Sequence, residues 1–184
     1  MRAGSEWGRA RLAALLLMAG GAAAGAFPGA QMRGSGATPN SEEAIVNKRA
    51  PEFARKAMDG GTVDLKSYRG RIVLLDFWAT WCAPCLVEMP DFAKWQQEYG
   101  GRGFAVIGVS MDDDEATARK AIDKLKPGYA IVMGDAKLGR LYGGVMGLPL
   151  IFLIDGDGVV RARFQGETDS KTIEGVLERL LKRR

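Results

Sequence analysis

Two cysteines separated by two residues are the most chemically distinctive feature of the sequence. Cys82 and Cys85 stand in the run Trp81-Cys82-Ala83-Pro84-Cys85, and the 184-residue chain has no other cysteine. Their sulfurs can close a small ring, so the pair can exist as a dithiol or as a disulfide. A purely structural disulfide is a weaker interpretation, because so short a ring constrains little of the unfolded chain. A zinc site would need a second pair of ligands, and the sequence offers no further cysteine and no histidine for it.

The absence of histidine limits the kinds of catalytic and metal site that the sequence can form. It excludes a Ser-His-Asp triad, Cys-His proteolysis and most zinc or copper sites. The 26 Lys and Arg residues exceed the 22 Asp and Glu residues, but three of the basic residues and one acid lie before residue 27. The rest of the chain is nearly balanced, which argues against a nucleic-acid partner. Length and composition fit one globular domain.

The cysteines are predicted to lie where a buried strand passes into a helix. Arg71 to Trp78 is an almost continuous apolar run, typical of a strand covered on both faces. A helix is expected from Pro84 to Tyr99, bent at Pro90. The first turn of a helix favours negative charge, so we expect Cys82 to form the thiolate and act as the nucleophile. Cys85, one turn later, would resolve the mixed disulfide.

Two carboxylates accompany the cysteines. Asp76 interrupts the apolar run, where burial should raise its pKa and make it a proton carrier. Glu88 lies three residues after Cys85 on the same face of the expected helix. Either acid could take the proton of Cys85 during resolution, and the sequence leaves the principal base open. The alternative for each is a purely structural contact with the backbone or with a basic residue.

The remaining sequence alternates strands and helices, which predicts an α/β fold. Glu52 to Lys56 and Thr62 to Leu65, around the turn Asp59-Gly60-Gly61, predict a small N-terminal hairpin. Further elements are expected downstream: strands at Phe104 to Ser110 and Ala130 to Met133, a short helix at Lys137 to Tyr142, a hairpin of Leu150 to Asp155 with Val159 to Gln165, and a closing amphipathic helix carrying Ile173, Val176, Leu177, Leu180 and Leu181.

Four consecutive acids stand at the head of another expected helix. Asp112, Asp113, Asp114 and Glu115 precede a helical stretch that reaches about Leu125. Acidic residues cap helices and complement the positive end of the helix dipole. We favour this interpretation over a calcium site, which needs a longer ligand loop.

The first 46 residues are predicted to lie outside the domain, which then occupies residues 47–184. A basic start, the apolar run Leu12 to Met18 and Ala24-Gly25-Ala26 fit a secretory signal peptide cleaved after Ala26. An uncleaved anchor is the alternative, although a bilayer core needs about 20 strongly apolar residues. Residues 27–46 are rich in Gly, Pro and Ser, which indicates a flexible linker. We therefore expect an extracytoplasmic or periplasmic protein, secreted or tethered to the membrane.

The sequence resembles the thioredoxin superfamily, and more closely its extracytoplasmic reductase branch of TlpA-like and ResA-like proteins. The resemblance implies a thioredoxin-like fold, with a central mixed β-sheet flanked by helices, an N-terminal β-hairpin and an inserted βα unit at about residues 111–143. It covers Ala50 to about Leu181 and is carried by Ala50-Pro51-Glu52-Phe53, Tyr68-Arg69-Gly70-Arg71, the run Phe77 to Cys85 with Glu88-Met89-Pro90, and Gly147-Leu148-Pro149.

The resemblance also implies roles for particular residues. In similar proteins the proline matching Pro149 is cis and faces the cysteines, whereas an ordinary trans turn is the alternative. The residue before it, Leu148, would pair through its backbone with an extended client segment. Thioredoxins have an acid where Asp76 stands, and the ResA branch has one where Glu88 stands. The other client-binding residues we expect are Trp81, Ala83 and Pro84.

The expected function is that of a thiol-disulfide oxidoreductase working as a reductase. Ala83-Pro84 between the cysteines supplies no histidine to stabilise a thiolate strongly, so the disulfide should be fairly stable. The resemblance implies a disulfide-containing client, such as the Cys-x-x-Cys-His haem site of an apocytochrome c, and a membrane-embedded thiol donor. This would place the protein in cytochrome c-type biogenesis. We expect a monomer with no cofactor and no metal.

Two other functions fit parts of the same pattern. A peroxiredoxin-type peroxidase shares the N-terminal Ala-Pro-x-Phe and the inserted βα unit. Peroxiredoxins, however, place Thr three residues before the peroxidatic Cys, whereas Thr80 precedes Cys82 by two. A non-enzymatic module of the same fold could bind Cu(I) through two thiolates, although such a site would usually include a histidine.

Overall fold

The computed structural model describes residues 45–183, and the predicted signal peptide and most of the predicted linker lie outside this range. A five-stranded sheet has the strand order β5-β4-β3-β6-β7, in which β5, β4 and β3 are parallel and β6 and β7 are antiparallel. Its strands are β3 (Ile72–Trp78), β4 (Phe104–Ser110), β5 (Ala130–Met133), β6 (Leu150–Ile154) and β7 (Val160–Gln165). The expected central mixed sheet is confirmed.

The described part of the chain also contains four α-helices and a separate hairpin. The hairpin pairs β1 (Ala54–Lys56) with β2 (Thr62–Asp64) across the predicted Asp59-Gly60-Gly61 turn. Gly60 has a φ of +97°, a conformation that glycine adopts without strain. The helices are α1 (Ala83–Tyr99), α2 (Glu115–Leu125), α3 (Ala136–Leu141) and α4 (Ser170–Lys182).

The apolar runs form strands because both of their faces are covered. Every residue of β3, β4 and β6 is buried. Successive side chains of a strand point to opposite faces. Leu75 and its neighbours on one face pack with Phe152 and Tyr142, and Leu74 and its neighbours on the other face pack with Phe92 and Leu177. The sheet is therefore held rigidly between two apolar layers, and β3 lies at its centre.

The segment between β4 and β6 supplies α2, β5 and α3. Strand β5 pairs in parallel with β4 and forms an edge of the sheet, which confirms the expected inserted unit. The capping interpretation of the four acids is right for Asp114, whose carboxylate accepts the backbone N–H of Thr117 at 2.8 Å. It is wrong for Asp112, which is buried outside the helix and contacts Thr80 instead.

Ile45 is buried in the core, so at least one residue of the predicted linker belongs to the packed domain. No helix within residues 45–183 combines the length and hydrophobicity that crossing a bilayer requires.

Candidate active site

The cysteine pair lies at the point where β3 passes into α1. Strand β3 ends at Trp78, and Cys82 is the N-cap residue of α1. The Sγ atom of Cys82 accepts the backbone N–H of Cys85 at 3.3 Å. Pro84 occupies the first turn, where its missing N–H has no cost to the helix. This is the predicted placement, in which the unpaired N–H groups and the dipole of α1 favour a thiolate at Cys82.

The two sulfurs form a disulfide with the Cα atoms 5.3 Å apart. Both cysteines are buried, and they pack in an apolar cluster with Trp78 and Met89. Trp81, directly before Cys82, has 70% of its surface exposed. The redox pair is thus covered by protein on its inner side and has a large exposed aromatic residue beside it.

The loop before β6 forms part of the same site. The peptide bond between Leu148 and Pro149 is cis, as the resemblance implied. Leu148 is half-buried and packs against the cluster that contains both cysteines. Met146, two residues earlier in this loop, is 84% exposed. Met146 was not predicted as a site residue, because nothing in the local sequence marks it as exposed.

Asp76 lies in the middle of β3, on the face that also carries Leu74 and Trp78. Burial raises the pKa of Asp76 well above its ordinary value, and the nearby charge of Glu88 raises it further. Neither carboxylate oxygen of Asp76 has a hydrogen-bond partner. An acid in this environment is stable in its neutral form and can carry a proton.

Glu88 lies on α1 and is 5% exposed. Burial raises the pKa of Glu88 to about 7, and the charges of Glu167 and Asp91 act in the same direction. The backbone N–H of Thr168 opposes this shift, although neither oxygen of Glu88 accepts a hydrogen bond of normal geometry. Glu88 therefore changes its charge near neutral pH, as a proton acceptor for a thiol must.

Two further polar groups lie close to Asp76 without hydrogen-bond partners, the indole N–H of Trp78 and the hydroxyl of Tyr129. Gly108 is the β4 residue paired with Asp76. A Cβ atom on Gly108 would lie 3.2 Å from Nε1 of Trp78 and 3.4 Å from the ring of Tyr129. The charge of Asp76 raises the pKa of Tyr129, which burial has already raised. Tyr129 was not predicted as a site residue, because β5 brings it there from 53 positions away in the sequence.

The described residues contain no cluster of three or more His, Cys, Asp or Glu side chains arranged to hold a metal ion.

Comparison with known proteins identifies the family. The AhpC/TSA family model matches residues 46–163, a span that contains both cysteines and Pro149. This chain belongs to the AhpC/TSA family. Among its AhpC/TSA relatives, the thiol-disulfide oxidoreductase ResA of Bacillus anthracis is 33% identical over 143 residues, which are 77% of this chain and 82% of ResA. The thiol:disulfide interchange protein DsbE of Escherichia coli K12 is 33% identical over 141 residues, 73% of each chain.

Solved structures agree with these relatives. A crystal structure from Chlorobium tepidum, assigned as a thiol:disulfide interchange protein DsbE, superposes with a TM-score of 0.70 at 32% identity and covers 74% of this chain and 97% of the other. The expected thioredoxin-like fold is confirmed. This AhpC/TSA protein is a thiol-disulfide oxidoreductase of the ResA and DsbE type, with its cysteine pair at positions 82 and 85.

Proposed function

We propose that this protein reduces disulfides of client proteins outside the cytoplasmic membrane. The supporting observation is the disulfide between Cys82 and Cys85 at the N-terminus of α1, formed by the only two cysteines of the chain. The predicted signal peptide supports the location. The Ala83-Pro84 dipeptide and the absence of histidine support a reducing rather than an oxidising couple.

The reaction transfers two electrons to the client. The Cys82 thiolate attacks one sulfur of the client disulfide, and the other client sulfur leaves as a thiolate. Cys85 then loses its proton and attacks Cys82, which releases the second client sulfur and closes the ring. The client gains two electrons and two protons, one proton from Cys85 and one from the solvent that took the proton of Cys82, and the cysteine pair becomes a disulfide. A membrane-embedded dithiol donor would reduce this disulfide again.

In this scheme Glu88 and Asp76 are the candidate acceptors of the Cys85 proton. Glu88 is the better acceptor at neutral pH, because its pKa is about 7. Asp76 is stable as the neutral acid, since burial and the charge of Glu88 both raise its pKa. We infer that Glu88 takes the proton and that Asp76 buffers the charge beneath α1.

Client binding would use the exposed rim of the site. An extended client segment would pair with the backbone of Leu148 beside Pro149. Trp81 offers an exposed aromatic surface next to Cys82, with Ala83 and Pro84 completing the edge. Main-chain pairing makes few demands on client sequence, so this rim suits a Cys-x-x-Cys-His segment of an apocytochrome c before haem attachment.

Covalent trapping tests this function. Cys85→Ser would leave Cys82 joined to its client, and the adducts can be identified by mass spectrometry after expression in the native compartment. We expect a small set of proteins with Cys-x-x-Cys-His segments. A broad set of adducts would contradict the role in cytochrome maturation, and the absence of adducts would contradict client reduction altogether.

A peroxide-consumption assay is the accompanying control. The hydroxyl of Thr80 donates a hydrogen bond to Asp112 at 2.6 Å rather than to Cys82. The reduced protein is therefore expected to consume peroxide no faster than a simple dithiol.

A further inference from the structure

Asp112 is a buried carboxylate that contacts the loop leading to the nucleophilic cysteine. It is 6% exposed and lies just beyond the end of β4, two residues before the cap of α2. Its oxygens accept the backbone N–H of Thr80 at 3.0 and 3.2 Å and the Thr80 hydroxyl at 2.6 Å. One oxygen also accepts the hydroxyl of Ser110 at 2.9 Å. These hydrogen bonds join Asp112 to the segment that follows β3 and to the last residue of β4.

These bonds hold the connection between β3 and α1. The backbone N–H of Met111 donates to the carbonyl of Trp78 at 2.7 Å, so the β3–β4 ladder continues one step beyond the strands. Beyond that bond the side chain of Asp112 accepts a hydrogen bond from the backbone N–H of Thr80. The N–H of Cys82 donates to the carbonyl of Ala79 at 3.1 Å and closes a turn. The turn that presents Cys82 is thus fixed to the sheet through one carboxylate.

This fixation matters most when the disulfide is open. In the oxidised protein the bond to Cys85 itself holds Cys82 close to α1. That bond is absent in the dithiol and in a mixed disulfide with a client. In these two forms only non-covalent contacts keep Cys82 within reach of Cys85. Restricting the open forms raises the effective concentration of one sulfur at the other and favours ring closure.

We propose that Asp112 is a positioning residue of the redox site, which holds the Ala79–Cys82 turn so that Cys85 closes readily onto Cys82. This role rests on the dithiol chemistry of the proposed function, but it does not depend on the identity of the client. A merely structural cap would stabilise the oxidised and reduced forms equally. A positioning residue instead changes the equilibrium between them.

The test is the equilibrium constant for oxidation of the Cys82–Cys85 dithiol by oxidised glutathione. It is measured by alkylation of free thiols. We expect Asp112→Ala to lower this constant about tenfold, close to the lower bound for loss of a hydrogen bond to a charged group, which corresponds to a potential about 30 mV less negative. Asp112→Asn keeps one carbonyl oxygen for Thr80 and is expected to restore most of the loss. Thr80→Ser keeps both donors and should match the wild type.

Two further variants keep the test decisive. Asp114→Ala removes the cap of α2, in which the carboxylate accepts the backbone N–H and the hydroxyl of Thr117, so it should lower the melting temperature of both redox forms without changing the equilibrium constant. Thr80→Val removes only the hydroxyl contact and carries the test if Asp112→Ala does not fold; we expect a reduction of about threefold.

The proposal is overturned if Asp112→Ala, or Thr80→Val in its place, leaves the constant within twofold of the wild type while both redox forms lose equal stability. Because glutathione replaces the client, the measurement is separate from the proposed function. A wild-type protein that equilibrates normally with glutathione but reduces no client disulfide would contradict only the latter.

Discussion

At the scale of single residues, the two buried acids Asp76 and Glu88 are distinguished by their surroundings. Asp76 is enclosed in the sheet and has no partner, whereas Glu88 lies on α1 near the charges of Glu167 and Asp91. Burial raises both pKa values, that of Glu88 to about 7 and that of the fully enclosed Asp76 well above its ordinary value. The division of roles between them follows from this difference.

Glu88→Gln should remove a pH-dependent step from disulfide exchange. In the wild type, Glu88 becomes a base as the pH rises through about 7, so ring closure should accelerate over that range. The variant should lack this acceleration and close its ring about 100-fold more slowly at pH 8, the lower end of the usual contribution of a general base. Stopped-flow release of client from the mixed disulfide measures the rate. Glu98→Gln, an exposed acid on the same helix, is the matched control, and equal profiles for the two variants would contradict the role of Glu88.

Glu88 should also make the stability of the protein depend on pH. Its pKa is raised from 4.5 in the unfolded chain to about 7 in the folded one, so the folded state binds more protons between these values. As far as Glu88 is concerned, the free energy of unfolding is therefore greatest below pH 4.5. It falls by up to about 3 kcal/mol as the pH rises through 7. Urea unfolding of the oxidised protein at pH 5 and pH 8 measures the change. Glu88→Gln should reduce it, and an unchanged difference would count against burial of the charge.

The residues that act locally could be predicted from the sequence, whereas those that act across strands could not. Cys82, Cys85 and Glu88 share one helix, and Asp76 stands out in an apolar run. Asp112 lies 32 positions from Thr80, and only the register of β3 with β4 brings them together. The contact of Tyr129 with the surroundings of Asp76 depends likewise on the inserted strand.

At the scale of elements, the nearly continuous apolar runs predicted strands accurately because burial on both faces leaves no other pattern. The strands β4 and β5 have the expected bounds. Leu65 was expected to end β2, but it begins a short 3-10 helix because the side chain of Asp64 accepts the N–H of Lys66. Side-chain caps of this kind shift the ends of strands and helices by a residue or two. The pattern of apolar residues does not predict such shifts.

Gly108→Ala should destabilise the side-chain packing around Gly108 of β4. The added Cβ would lie 3.0 Å from a side-chain carbon of Ile131 and 3.2 Å from Nε1 of Trp78. Both neighbours are buried, so we expect a loss of about 1 to 3 kcal/mol in unfolding free energy, as for other overpacked cores. Gly101→Ala, where a Cβ meets nothing within 4 Å, is the control for the glycine substitution itself. Equal stabilities for the two variants would show that the region around Asp76 has spare room.

At the scale of the whole molecule, exposed apolar side chains accompany the redox site. Val87 on α1 and Met146 in the loop before Pro149 are each at least 75% exposed, and Trp81 is nearly as exposed. Large exposed apolar residues beside a reactive group indicate a surface that binds other chains. The sequence predicted Trp81 in this role, but the exposure of Val87 and Met146 depends on the final fold.

Met146→Ser should weaken the reduction of apolar peptide disulfides. The loss of buried apolar contact should lower kcat/KM about fivefold for a disulfide peptide with apolar residues beside its cysteines. Reduction of a small disulfide such as oxidised glutathione should be unchanged, because it is too short to reach this loop. Equal losses with both substrates would indicate damage to the redox pair rather than to a binding surface.

The most direct test of a dithiol couple that reduces clients is the stoichiometry of a single turnover. The fully reduced protein is mixed with an oxidised Cys-x-x-Cys-His peptide, and the products are quantified by mass spectrometry after acid quenching. We predict one peptide disulfide reduced for each Cys82–Cys85 disulfide formed, a stable adduct on Cys82 with Cys85→Ser, and no reaction with Cys82→Ser. Reduction of the peptide by Cys82→Ser at the wild-type rate, or no reduction by the wild type, would contradict this function.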